Sequence, residues 1–129
     1  MKTILVDAVD CFVSDKGEMF EGMRKLLDSY ANKKIILTNA PDDKFEQFGL
    51  NKVPYEVFTL RRNPMKTDPK YFELMLGHFK LNKDDAVYFE HSAEAVESAR
   101  SAGIGTYFYD NEKKDLASLK SFLDSNLKA

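Results

Sequence analysis

A single cysteine, Cys11, stands among the 129 residues. That excludes an internal disulfide framework and makes a reducing compartment the simplest setting. Proline and glycine are sparse, at 4 and 6 residues, and no repeat, linker or low-complexity segment interrupts the chain. No apolar run approaches the ~20 residues that span a bilayer. The first residues carry one lysine and an apolar run too short for a secretory signal, so a soluble cytoplasmic protein is expected. An excess of basic charge is also missing. The formal net charge of -2 argues against bulk nucleic-acid binding, which needs a basic face.

What remains is ordinary globular composition, 43% hydrophobic and 31% charged, at a length that suits one domain spanning residues 1–129. Five short apolar runs stand out: Thr3–Val6, Lys34–Thr38, Glu56–Leu60, Ala86–Phe89 and Gly105–Tyr109. Each is rich in β-branched or aromatic residues and too short for a helix.

Helical periodicity fills the gaps. Phe20, Met23, Leu27 and Tyr30 share one face of a first helix near Glu18–Tyr30. A second begins near Pro41, carries Phe45 and Phe48, and stops at Gly49. A third is capped by Asp68, opened by Pro69 and striped by Phe72, Leu76 and Phe79. A fourth is capped by Ser92, faced by Ala95, Val96, Ala99 and Ala102, and closed by Gly103. The last, near Asp115–Leu127, turns Leu116, Leu119, Phe122 and Leu123 inward.

Five alternations of strand and helix predict an α/β fold: a mostly parallel five-stranded sheet with helices on both faces. Continuously apolar strands agree, because parallel strands are buried on both sides. In such folds ligands sit beyond the carboxyl ends of the strands. The residues there are Asp7 and Asp10, Thr38 and Asn39, Arg61 and Arg62, Lys66, Glu90 and His91.

These residues fall into four ordered motifs: "ILVDAVDCF", "IILTNA", "MKTDPKYF" and "AVYFEHSAEAVESARSAG". Together they resemble the haloacid dehalogenase (HAD) superfamily over residues 4–103. The resemblance implies a three-layer Rossmann-type domain, with the first strand central, the second and third on one side, and the fourth and fifth on the other. It places Asp7 at the nucleophile position. Thr38 and Lys66 fall where the family holds phosphoryl oxygens, and Asn39 is expected in the same substrate site. Asp7, Glu90 and His91 would be the metal ligands, with Mg²⁺ the family's ion.

Four departures qualify that picture. Val9 stands where the family's phosphatases carry a second Asp as general acid and base. Asp10 and Cys11 replace the usual Gly and Thr. Glu90 and His91 replace the metal-binding acids, and imidazole suits Zn²⁺ better than Mg²⁺; a chain with no metal at all is the third reading. No segment is long enough for a cap domain, so the site should be open to water and suit a bulky or macromolecular ligand.

Each residue also has a plainer reading. Asp7 would be a turn acid, Thr38 a strand-end threonine, Lys66 a surface lysine, and Glu90 with His91 a solvated strand end. Asp10 lies one residue past the acid position, so its side chain should point elsewhere.

Two functions therefore compete. One is a weak phosphohydrolase with an Asp nucleophile and a divalent metal. The other is an inactive HAD-like domain that binds an anionic ligand or a protein partner. Dehalogenation ranks third, since no cap builds a dry substrate pocket.

Overall fold

The structure, a computed structural model, describes residues 1–127; the last two residues of the expected 1–129 span lie outside the described residues. The strands are β1 (Thr3–Asp7), β2 (Lys34–Thr38), β3 (Glu56–Thr59), β4 (Ala86–Glu90) and β5 (Gly105–Phe108). The helices are α1 (Glu21–Asp28), α2 (Asp42–Phe45), α3 (Pro69–Phe79), α4 (Ala93–Ser101) and α5 (Leu116–Asn126). One five-stranded sheet results, ordered β3-β2-β1-β4-β5 with every pairing parallel. This is the topology that the motifs imply.

Side-chain alternation divides the core between two faces. Ile4, Val6, Ile36, Val87 and Phe89 meet Met23 and Leu27 of α1 and Leu119 and Leu123 of α5. Leu5, Ile35, Leu37, Phe58 and Tyr88 meet Tyr71, Phe72 and Met75 of α3 and Ala99 of α4. Helices thus cover both sides of a sheet whose central strands are fully buried.

Two helices differ from the periodic reading. α1 starts at Glu21 because the preceding loop folds back on itself, with isolated bridges Val9–Val13 and Val13–Met19. α2 is a single turn, followed by turns up to Leu50. Gly17 and Gly49 explain why those two loops can touch. Both have positive φ, and a Cβ on Gly17 would fall 2.7 Å from the Gln47 carbonyl oxygen. α3 begins as expected: the Asp68 carboxylate accepts from the Lys70 N–H at 3.0 Å, and Pro69 follows. Its most buried residues are Tyr71, Phe72 and Met75. The expected Leu76 and Phe79 are half-buried at its edge. Tyr71 lies outside the expected stripe, and burial in a purely apolar core would leave its hydroxyl unpartnered. That hydroxyl is instead paired with backbone at the ends of β2 and β3.

Candidate functional site

The register of the sheet creates an electrostatic problem. Val6 of β1 faces Phe89 of β4, so the next residues, Asp7 and Glu90, emerge side by side at the strand ends. Both share the α3/α4 face with Leu5 and Tyr88. Asp7 is 2% exposed and Glu90 1%. Two buried neighbouring carboxylates repel and lose hydration, which is costly unless a cation joins them.

Lys66 supplies that cation. It lies in the loop just before α3, on the same side of the sheet. Its Nζ is 2.6 Å from Asp7 Oδ1 and 2.8 Å from Glu90 Oε1. The Tyr88 hydroxyl donates to the same Glu90 oxygen at 2.6 Å. Asn39 delivers the lysine: its Oδ1 accepts from the Lys66 N–H at 2.7 Å. Its Nδ2 donates to the carbonyls of Arg61 and Pro64. Asn39, expected in the substrate site, lines the cleft over Asp7, and its amide holds this loop.

His91 closes the other side. Its Nδ1 contacts Asp7 Oδ2 and lies 3.2 Å from Glu90 Oε2. The Ser92 N–H donates to the same Glu90 oxygen at 3.1 Å. Cys11 is buried, and its thiol donates to Asp7 Oδ2 at 3.3 Å. Asp10 adopts the left-handed region, φ 74°, which Asp tolerates better than most residues. That turn brings Asp10 Oδ2 to 3.7 Å from His91 Nε2. The plain reading of Glu90 as a solvated strand end is corrected here, because it is among the most buried polar groups in the molecule.

Proton affinities follow from these contacts. Burial raises the Asp7 carboxyl, opposed by the charge of Lys66 and aided by that of Glu90. Burial would also raise Glu90, but the Lys66 charge and hydrogen bonds from His91, Asp7 and Lys66 hold it well below the carboxylate range. Burial pulls the Lys66 ammonium down, yet Asp7 and Glu90 together carry it above its ordinary value. Hydrogen bonds to Asp7 and Glu90 push His91 up to about 10. Burial, then the Asp7 charge, lifts the Cys11 thiol well above its usual value.

A cleft of about 370 Å³ opens over Asp7. Its floor and rim carry Thr38, Lys44, Arg62, Lys66 and His91, and Val9 forms part of its wall. Thr38 Oγ1 accepts from the Ala40 N–H at 3.1 Å. Of the two neighbouring arginines, Arg61 pairs with Asp42 on the surface at 3.0 Å. A second cleft is lined by Asp10, Cys11 and Ser14 of the β1–α1 loop and by Lys114, among others.

The donor set does not suit Mg²⁺. That ion demands near-octahedral oxygen ligands. Here Glu90 has both oxygens engaged by Lys66, Tyr88, Ser92 and His91. Among the described residues, the group that converges closely enough to share one ion is Asp7, Cys11 and His91, their ligand atoms within 4.8 Å of one another. Glu90, expected among the metal ligands, is not in that group, and Cys11, which was not expected there, is. Strand alternation was the available signal for Glu90, since it lies two residues after the buried Tyr88. Nothing local in the sequence marked Cys11.

Sheet order, strand-end carboxylate and lysine loop define a class: the chain has the haloacid dehalogenase-like fold. It is similar to an aspartate-to-alanine mutant of a HAD-family enzyme from Bacteroides thetaiotaomicron, solved in complex with magnesium and inorganic phosphate. The identity is 13% and the TM-score 0.66, over 84% of this chain and 93% of that one. A HAD-superfamily hydrolase of subfamily IA from Geobacter sulfurreducens is 15% identical with a TM-score of 0.63, over 90% and 96%. An uncharacterized protein from Corynebacterium glutamicum is 15% identical with a TM-score of 0.66, over 96% of both chains. No protein-family model and no curated protein matches the chain.

Proposed function

We propose that this protein binds a phosphorylated or similar anionic ligand in the cleft over Asp7, and hydrolyses it slowly or not at all. The observation that carries this reading is the cleft itself. It gathers Lys44, Arg62, Lys66 and His91 around one strand-end carboxylate, with Val9 as the neighbouring wall. The B. thetaiotaomicron neighbour, bound to inorganic phosphate, supports a phosphoryl group as the ligand's anionic part.

The chemistry assigns roles within the site. Lys66 neutralises Asp7 and would meet a phosphoryl oxygen at the cleft floor. The Thr38 hydroxyl, which accepts from Ala40, retains its hydrogen to donate to a second oxygen. Arg62 and Lys44 at the rim add attraction for a dianion. Asp7 has the position of a nucleophile, but both of its oxygens are tied to internal donors. A leaving alkoxide would find no proton donor at Val9, a deficit of roughly 100- to 10,000-fold. An open cleft with no cap suits a phosphate displayed on a larger molecule.

The test is thermal unfolding with inorganic phosphate and with an aryl phosphate. A ligand that binds only the native state must raise the transition temperature. Protection that weakens in Arg62→Ala and Lys44→Ala is expected; no protection by either ligand would sink the reading. Turnover of the aryl phosphate, whose leaving group needs little protonation, should be far below about 1 per second. Fast turnover that disappears in Asp7→Asn would restore the phosphohydrolase reading.

A further inference from the structure

We propose that Asp7, Cys11 and His91 form a binding site for a soft divalent ion, of which Zn²⁺ is the natural example. Two of the sequence's departures from the HAD pattern, Cys11 and His91, converge on the same carboxylate oxygen, Asp7 Oδ2. Each exchanges a hard oxygen donor for a softer one. Thiolate, imidazole and carboxylate together are a zinc set, not a magnesium set.

The sulfur–oxygen distance agrees. A tetrahedral zinc ion with bonds of about 2.3 Å to sulfur and 2.0 Å to oxygen holds those atoms about 3.5 Å apart. Cys11 Sγ and Asp7 Oδ2 lie 3.3 Å apart. The His91 ring sits nearer to Asp7 than an ion between them would allow. Its side chain is 27% exposed, so it has room to withdraw.

Asp10 adds a second, independent feature. His91 turns Nδ1 toward the metal position, while Nε2 lies 3.7 Å from Asp10 Oδ2. A carboxylate behind a ligating imidazole fixes its orientation and raises its basicity. The left-handed turn at Asp10 thus acquires a purpose: it swings a positioning residue behind the histidine.

Three protein ligands leave a fourth position, as in zinc sites that keep an open coordination place. Asp7 and His91 line the cleft over the strand ends, which leaves an ion a way in to the buried Cys11 thiol.

Cobalt substitution tests this on the full chain after chelator treatment. Because the chain has one cysteine, any thiolate-to-cobalt charge-transfer absorption at one ion per chain reports on Cys11. The expected result is such a band, removed by stoichiometric Zn²⁺ and untouched by a large excess of Mg²⁺. Cys11→Ser should lose the band, and Cys11→Ala serves if that variant misfolds. Asp10→Asn should keep the band and weaken Zn²⁺ binding by roughly 10- to 100-fold. Cobalt that binds without a charge-transfer band, or no binding of either ion by calorimetry, would overturn the proposal. Phosphate protection measured in chelator reads the anion-binding function separately, so either idea can fail while the other stands.

Discussion

Lys66 lies between two carboxylates that the sheet register forces together, with its side chain only 13% exposed. Removing it leaves Asp7 and Glu90 buried with His91 alone shared between them. Lys66→Met should therefore cost about 3–5 kcal/mol of stability, read from urea denaturation. Adding Glu90→Gln should recover part of that loss, since one of the two orphaned charges goes with it. A loss under about 1 kcal/mol would mean the pair rearranges into solvent.

His91 gives a second prediction at the same scale. It faces Asp7, Glu90 and Asp10, with Lys66 across the cluster. Its folded value, about 10, is above the ordinary 6.5 or so of the unfolded chain. A raised base stabilises the fold fully below the unfolded value and loses that contribution as pH climbs to the folded one. In chelator, stability should fall between about pH 6.5 and 10, and His91→Gln should flatten that slope. Lys66, also raised, titrates above this window.

At the scale of elements, the loop between β1 and α1 does most to shape the site. The Ala8 carbonyl accepts from the N–H groups of Phe12 and Val13, and Asp10 N–H returns to the Val13 carbonyl. This tight return presents Cys11 to Asp7 and Asp10 to His91 from a stretch of only five residues. Its far end is pinned where Gly17 meets Gly49 and Gln47. Gly17→Ala should cost more than the ~1–2 kcal/mol of a left-handed non-glycine residue, because the added methyl also strikes the Gln47 carbonyl. Thermal unfolding measures the loss. Gly77→Ala, where an added Cβ meets nothing within 4 Å, is the control and should be neutral or stabilising.

Across the whole molecule, the question is whether the framework still holds phosphatase geometry. Val9→Asp would place a proton donor in the cleft, and His91→Asp a hard oxygen where the imidazole now sits. Neither alone should suffice, because each adds a carboxylate near Asp7 with no ion to offset it. The double variant with Mg²⁺ should hydrolyse an aryl phosphate faster than the two singles together, as residues that act as a unit do. Turnover that persists after adding Asp7→Asn would mean the activity arises elsewhere. His91→Asp should also weaken cobalt binding at Cys11, since the imidazole ligand is then gone. No inserted domain separates β1 from α1 or β3 from α3 among the described residues. No described helix is long and apolar enough to cross a membrane.

Local sequence determined a great deal of this protein. Short β-branched runs between periodic segments bury themselves best as parallel strands under helices, so strand positions and parallel pairing were legible from "TILVD" to "GTYF", while the strand order was implied by the family resemblance. The Asp68 and Ser92 caps were legible too, because capping is a contact between residues two or three apart. The strand-end positions of Asp7 and Thr38 followed from the same alternation, and Lys66 fell just before the expected third helix. What the sequence could not disclose were contacts set by register and by a folded-back loop. Glu90 is buried because β4 pairs with β1 one residue short of it. Asn39 holds the Lys66 loop 27 residues away. Cys11 and His91, 80 positions apart in the chain, meet over one carboxylate oxygen. Each of these depends on distances between elements, which no local pattern encodes and only tertiary packing decides.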